Sequence, residues 1–301
     1  MKKYFSLALL LCLFSVTQAQ DDLLKLLEEE EKKEPQQTER VINTFKATRI
    51  INGYSTELTA KKNLQFVIAH RFGSVNSGWR EFFGIDDADM RIGLEYGIYD
   101  WWNVGIGRSS VGGTVDLTTR VKFMRQSKGA KKIPFTLAGY ANMAFVSKEQ
   151  PPEVEVIHRI SYAYQLMLAR KFTKNFSFQV MPSYLHRNLT PTANDPNGIF
   201  SVGAGLRYLV SRSIGLNLEY FQPITKKEDG EIYIGSMGFG IDIETGGHVF
   251  QVTITNSRGM IDQLYIPNNS GHWWDKEIHI GFNINRNITF GAGGKKEKKK
   301  V

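Results

Sequence analysis

Charged side chains recur at alternate positions along this 301-residue chain, at a spacing that could bind, repel or neutralise ions. The ten that carry this chemistry are Arg71, Arg91, Glu95, Asp116, Arg120, Lys122, Arg159, Arg207, Glu219 and Asp242. Basic groups along a passage favour anionic solutes. Acidic groups among them can instead neutralise the basic ones in an internal network of ion pairs. Both interpretations stay open at this stage.

Lipid hydrolysis is the one catalytic chemistry that the histidines suggest. His70, His158 and His186 fall near the predicted outer ends of strands. A hydrolase needs a nucleophile within hydrogen-bond reach of its base, and no serine shares the face of His158 and His186. The six histidines also lack metal-ligand spacing. We therefore predict no catalytic residue, no metal site and no cofactor.

Apolar and polar residues alternate one by one over long runs, and this alternation determines where the charged side chains point. Ile92 and Leu94 interleave with Arg91 and Glu95, and such runs last about 9–13 residues, the span of a tilted transmembrane strand. An Arg or Lys facing lipid at mid-bilayer costs about 2–4 kcal/mol, so the polar face must point inward. The same face carries amides, namely Gln65, Gln165, Gln179, Asn217, Gln251 and Asn283. We predict an all-β fold, an antiparallel outer-membrane β-barrel of about twelve strands.

Links of alternating length support this prediction, because bacterial barrels join strands by short periplasmic turns and longer outer loops. A thirteenth candidate strand at 44–51 would break the even strand number of such barrels. We therefore place 41–60 outside the wall, as a plug of the lumen or beneath it. The alternative is a fourteen-stranded barrel with a further strand at 263–266.

The two ends of the chain predict where in the cell the protein is located. A basic start, an apolar run and small residues at 17 and 19 predict a secretory signal peptide. The last predicted strand resembles the C-terminal recognition signal of outer-membrane proteins through the alternating residues Ile280, Phe282, Ile284, Ile288 and Phe290. It departs from that signal in being followed by a basic tail, whereas many such proteins end at the aromatic residue. The predicted organisation is a signal peptide at 1–19, a short periplasmic acidic helix and linker at 20–40, the plug or sub-barrel segment at 41–60, the barrel at 61–290 and a basic tail at 291–301.

Three short motifs point to a family. The runs His70-Arg71-Phe72-Gly73, Phe83-Gly84-Ile85-Asp86 and Ile106-Gly107-Arg108-Ser109-Ser110 resemble a family of bacterial outer-membrane β-barrels described only as a domain of unknown function. The resemblance covers about residues 41–290. It implies architecture and location, and it supplies no catalytic residues.

The leading functional hypothesis is passive passage or binding of small solutes, with anions favoured by the basic lumen. The alternatives are a non-conducting structural or surface-interaction barrel and, with less support, a lipid hydrolase. Expected partners are outer-membrane lipid and lipopolysaccharide, the barrel-assembly machinery and small solutes. The formal charge of +8 is scattered along a secreted chain, which argues against nucleic-acid binding.

Overall fold

The computed structural model describes residues 37–245, 248–269 and 271–289. The predicted signal peptide, the predicted helix at 21–34, Phe290 and the basic tail lie outside these residues. Two compact units are present. In one, the short strands β1 (Glu39–Arg40) and β6 (Ser127–Lys128) pair antiparallel. The other contains all the remaining strands. Within the described ranges, no helix has the length and apolar character needed to cross a bilayer.

Twelve strands of the second unit close into one barrel, and every neighbouring pair is antiparallel. This confirms the predicted fold class. The strands are β2 (Asn63–Ser74), β3 (Ala88–Tyr99), β4 (Trp102–Ser109), β5 (Thr114–Met124), β7 (Thr136–Val146), β8 (Ile160–Lys171), β9 (Phe176–Arg187), β10 (Gly198–Leu209), β11 (Ile214–Pro223), β12 (Ser236–Thr245), β13 (His248–Thr255) and β14 (His279–Thr289). Strand β14 pairs with β2 and closes the ring.

The two faces of the wall differ as the alternation requires. On β3, Arg91 and Glu95 are only 1% and 2% exposed, whereas the intervening Ile92 and Leu94 are each 40% exposed. Because apolar side chains point away from the barrel on strand after strand, the outer surface is suited to lipid. We take the barrel end with the short links as periplasmic, since short turns lie on that side in this class.

The fourteen-strand alternative is wrong. Residues 263–266 do not pair with the wall; they overlap a short helix, α1 (Asp262–Tyr265), in the long connection between β13 and β14. Tyr265 and Ile266 are fully buried, because this connection folds back into the barrel and packs there. The segment at 44–51 is also absent from the wall, and its one ladder contact is an isolated bridge between Arg49 and Tyr54.

Glycines on the inner face leave room for the segment at 41–60. A Cβ atom at Gly205 of β10 would lie 2.4 Å from Cδ1 of Ile50. A Cβ atom at Gly238 of β12 would lie 3.0 Å from Cγ2 of Ile51. Glycine at these two wall positions therefore leaves the space that the side chains of Ile50 and Ile51 occupy. The barrel interior is packed rather than empty.

Replacing Gly205 with valine is expected to destabilise the barrel, because the new side chain would overlap Ile50. Overpacking of a filled interior costs about 1–3 kcal/mol. Urea unfolding of the protein in lipid vesicles measures the free energy of unfolding. Ala204→Val is the matched control, since Ala204 neighbours Gly205 on β10 but faces outward. Equal stability of the two variants would contradict the packing described here.

Candidate functional site: the filled lumen

Two segments fill the lumen from opposite ends. The inner plug, residues 41–60, enters from the periplasmic end, where it precedes β2. The outer plug, residues 256–269, follows β13 and enters from the outer end. The two meet inside the barrel, where Nη1 of Arg49 donates to the carbonyl oxygen of Met260 at 3.1 Å. Together they place Phe45, Ile50, Ile51, Tyr54, Met260, Ile261, Tyr265 and Ile266 among the buried residues.

The tip of the inner plug is held by one carboxylate. Glu219 lies on β11 and is 1% exposed. It accepts the backbone N–H groups of three successive residues, Ile51 and Gly53 at 3.0 Å on Oε2 and Asn52 at 2.9 Å on Oε1. A turn, closed by the N–H of Ile50 donating to the Gly53 carbonyl, aims these groups at Glu219. The arrangement is a concave backbone site for an anion, and the wall supplies that anion.

Other wall strands hold the same tip through neutral or basic groups. Nη2 of Arg71 donates to Oδ1 of Asn52 at 3.0 Å, and its Nη1 donates to Asn283 of β14. The Asn283 amide in turn donates to the carbonyl of Ile51 at 3.0 Å, and Gln251 of β13 donates to the carbonyl of Ile50. The tip therefore has its polar groups satisfied from several sides of the barrel.

The middle of the inner plug makes similar contacts. Gln179 of β9 accepts the N–H of Thr56 at 2.9 Å and donates to the carbonyl of Tyr54 at 2.8 Å. Two guanidinium groups lie over the Tyr54 ring, that of Arg49 at 4.2 Å and that of Arg120 at 4.5 Å from the ring centre. Cation–π contacts of this kind are strengthened by exclusion of water. The plug is thus bound by charged and amide groups as well as by apolar packing.

Two buried ion pairs span strand β4. Nε and Nη2 of Arg91 on β3 donate to the two carboxylate oxygens of Asp116 on β5, at 2.9 and 2.5 Å, and Arg120 of β5 pairs with Glu95 of β3. The side chains can meet across the intervening strand because β4 carries glycine there. A Cβ atom at Gly107 would lie 2.3 Å from Nη2 of Arg91 and 2.8 Å from Oδ1 of Asp116.

The outer plug is fixed by a second buried carboxylate. Asp262 of α1 accepts hydrogen bonds from the hydroxyls of Tyr140 and Tyr265 and, at 2.6 Å, from the amide of Gln165. Gln263 donates to Asn142 of β7 at 2.6 Å. Each plug is therefore joined to the wall by one buried carboxylate, Glu219 of the wall for the inner plug and Asp262 of the plug itself for the outer one.

The predicted charged set lies on the inner face with one exception. Arg207 and Asp242 approach to 3.5 Å near the periplasmic end, and Lys122 is buried on β5. Arg159 departs from the prediction of a lumen-lining strand residue. It lies in a short 3-10 turn, Val156–Arg159, at the outer rim and is half-buried, because β8 begins only at Ile160.

Sequence reasoning missed Asp262, Tyr140 and Tyr265 as part of the site. Asp262 lies in the long connection between β13 and β14. The residues around it do not alternate between apolar and polar, so nothing in the sequence indicates that this connection returns to the lumen. Tyr140 does fall on inward parity on β7, next to Ala138 and Asn142. That parity was the available signal.

His158 and His186, the two histidines of the hydrolase alternative, lie at the outer end of the barrel. His158 is exposed in the outer turn, and His186 points outward on β9 beside Tyr162 of β8. In the part of the chain that the structure describes, neither ring forms a hydrogen bond to a serine. The same described residues contain no group of three His, Cys, Asp or Glu side chains placed to hold a metal ion.

Comparisons with known proteins give one family and several distant structures. A model of the family described as membrane bound beta barrel domain (DUF5777) matches residues 45–288. No curated protein sequence matches the chain. Among solved structures, a NanC porin shares 10% identity over 75% of this chain and 99% of its own, with a TM-score of 0.48. A KdgM porin shares 7% identity over 75% and 99%, with a TM-score of 0.47.

A third solved structure is outer membrane phospholipase A from Escherichia coli. It shares 10% identity over 83% of this chain and 100% of its own, with a TM-score of 0.42. The family match, in contrast, is a match of sequence. It begins inside the inner plug and ends one residue before the last residue of β14.

Proposed function

The chain belongs to the family of membrane bound β-barrel domains (DUF5777), and from that premise we propose that it is an outer-membrane channel for small solutes, closed by its two plugs. Passage of a solute then requires both plugs to leave the axis of the barrel. Lipid and lipopolysaccharide surround the apolar outer face in this proposal, and the barrel-assembly machinery inserts the chain.

The observation that carries the proposal is the polar attachment of the plugs. Glu219 of the wall binds the inner plug through three hydrogen bonds, and Asp262 of the outer plug accepts two hydrogen bonds from the wall, from Tyr140 and Gln165. Hydrogen bonds to a plug can be exchanged for hydrogen bonds to water, at a net cost of about 0.5–1.5 kcal/mol each. A wall with charged and amide groups therefore tolerates a hydrated state, which an apolar wall would not.

Charge balance favours anions in that hydrated state. Three of the acidic wall residues are neutralised by arginines, in the pairs Arg91–Asp116, Arg120–Glu95 and Arg207–Asp242. Arg71 and Lys122 form no ion pair with any other described residue. Glu219, the remaining acidic wall residue of the predicted set, offsets one of these two positive charges when the inner plug has left. The positive charge in excess would raise the local concentration of anions in an open lumen.

A non-conducting structural barrel is the second candidate, and the filled lumen favours it. Two plugs that never leave would make the interior a rigid core with no transport role. Lipid hydrolysis has less support, because His158 and His186 have no serine hydroxyl within hydrogen-bond reach among the described residues. We propose no enzymatic activity.

Planar-bilayer recording separates the two main candidates. We expect the unmodified protein to be closed for most of the time, and the double variant Glu219→Gln, Asp262→Asn to give sustained conductance with anion preference. Both substitutions remove the charge of a plug-binding carboxylate while keeping its size. Single variants should give brief openings, since one plug still blocks the barrel.

The matched control is Asp229→Asn, Glu231→Gln, which makes the same change of net charge on an exposed outer loop. Circular dichroism and protease resistance confirm that each variant is folded. A folded double variant that stays silent would reject the channel and favour the structural barrel. Conductance of the control equal to that of the double variant would show that the plugs do not close the pore.

A further inference from the structure

An outer cavity of about 190 Å³ lies between the outer loops and the outer plug. Its apolar lining includes Val146, Leu189, Pro191 and Leu264. This volume is below the roughly 300–1,000 Å³ typical of sites for drug-sized ligands, which indicates a small occupant. Because α1 contributes Leu264 to the lining, an occupant would touch the outer plug directly.

A buried arginine with unused donors lines this cavity. Arg187, the last residue of β9, is 5% exposed and points inward. Its Nη1 donates to Oδ1 of Asn268 at 3.1 Å, whereas its Nε and Nη2 atoms are buried and form no hydrogen bond. A guanidinium offers five N–H donors in a fork that matches a carboxylate. Nη2 lies in an ion pair with Asp195, at a distance beyond that of a hydrogen bond, and Nε has no acceptor within hydrogen-bond distance. Because buried donors of a charged group are costly when they lack a hydrogen bond, Arg187 can bind a further anionic acceptor.

A second arginine, Arg159, lines the same cavity. Arg159 donates to the Val154 carbonyl at 3.4 Å, its Nε atom is buried without a partner, and it forms no ion pair within the described residues. The nearest carboxylate to Arg187 is Asp195, 3.8 Å from Nη2. Burial acts to raise the pKa of Asp195, but hydrogen bonds from Tyr233 and Thr192 lower it overall. Asp195 is therefore ionised and offsets one of the two positive charges, which leaves the cavity with one in excess.

We propose that the outer cavity binds a small organic monoanion, a carboxylate attached to an apolar body, with Arg187 and Arg159 holding the carboxylate. The apolar side chains contact the body of the ligand, and Leu264 transmits its presence to the outer plug. This deepens the proposed function by naming the solute class, and it rests on that function only in treating the bound anion as the solute that passes.

Benzoate is the probe, and benzyl alcohol is its neutral counterpart. Titration of the refolded full-length protein in a neutral detergent, followed by ligand-observed NMR, should show saturable binding of benzoate and at least tenfold weaker binding of benzyl alcohol. Arg187→Gln should weaken benzoate at least tenfold and leave benzyl alcohol unchanged. Arg80→Gln is the control, because Arg80 is an exposed outer-loop residue away from the cavity.

Equilibrium binding needs no ion flow, so its outcome is independent of conductance. Binding without conductance in the plug-release variant would support the cavity and reject the channel. Equal binding of benzoate to the unmodified protein and to folded Arg187→Gln would overturn the cavity assignment, as would absence of saturable binding. Displacement of benzoate by lipopolysaccharide would identify a lipid headgroup, rather than a free solute, as the natural source of the anion.

Discussion

Glu219→Gln is expected to free the tip of the inner plug and to expose residues that are buried in the unmodified protein. A glutamine at this position would present an amide NH₂ group to backbone N–H donors, so at least one of the three hydrogen bonds would become a donor–donor contact. Hydrogen bonds to a charged acceptor contribute about 1.5–3 kcal/mol each. We expect the free energy that favours the docked over the released plug to fall by about 4 kcal/mol. Each 1.4 kcal/mol changes the ratio of released to docked plug tenfold.

A cysteine at position 55 reports this release. Ser55 is fully buried in the inner plug, and a thiol there should react slowly with a membrane-impermeant maleimide. In the Glu219→Gln background the reaction should be at least a hundredfold faster. The one natural cysteine, Cys12, precedes the predicted signal-peptide cleavage site. The protein without the introduced thiol gives the baseline.

Glu244→Gln is the matched control for this measurement. Glu244 pairs with Lys46 of the inner plug at 2.5 Å, but both side chains are partly exposed, and exposed pairs contribute little to stability. We expect no more than a small change in labelling from this variant. Equal labelling rates in the two backgrounds would mean that Glu219 does not hold the plug.

The faces of the wall could be predicted from the sequence because β-strands have a strict period of two. Arg91 and Glu95 point inward, and Ile92 and Leu94 point outward, since any other arrangement would place charge in lipid. The number of strands followed from the same alternation and from the need for an even count. Neither the alternation within a strand nor the even number of strands depends on which residues contact each other in the folded barrel.

The partners of the inward groups could not be predicted, because they depend on register and on segments that lack alternation. Glu219 meets Ile51, which is 168 positions away in the chain. The pairing of Arg91 with Asp116 across β4 also depends on the glycine at 107, which by itself indicates only a weak strand position. Arg159 shows where the alternation stops predicting side-chain direction, because this residue lies just before the first residue of β8.

Asp116→Ala is expected to have the largest effect on stability. Arg91 would keep its charge in an enclosed site while losing both of its carboxylate hydrogen bonds. Removal of one partner of a buried ion pair costs about 3–5 kcal/mol, whereas replacement of both partners by apolar residues of similar size is often neutral. The double variant Arg91→Met, Asp116→Leu should therefore be more stable than the single variant, although it removes more of the native site.

Urea unfolding in lipid vesicles gives the free energy of unfolding for the single and double variants, and Arg91→Met alone completes the cycle. Arg91→Met should also destabilise, since it leaves Asp116 as an unpaired buried carboxylate. Glu231→Gln, which breaks an exposed pair with Lys227, should leave stability unchanged. If Asp116→Ala proved as stable as the double variant, water would be reaching Arg91 in the folded barrel. The lumen around β4 would then be hydrated at rest, and closure would depend on the plug residues nearer Glu219 and Asp262.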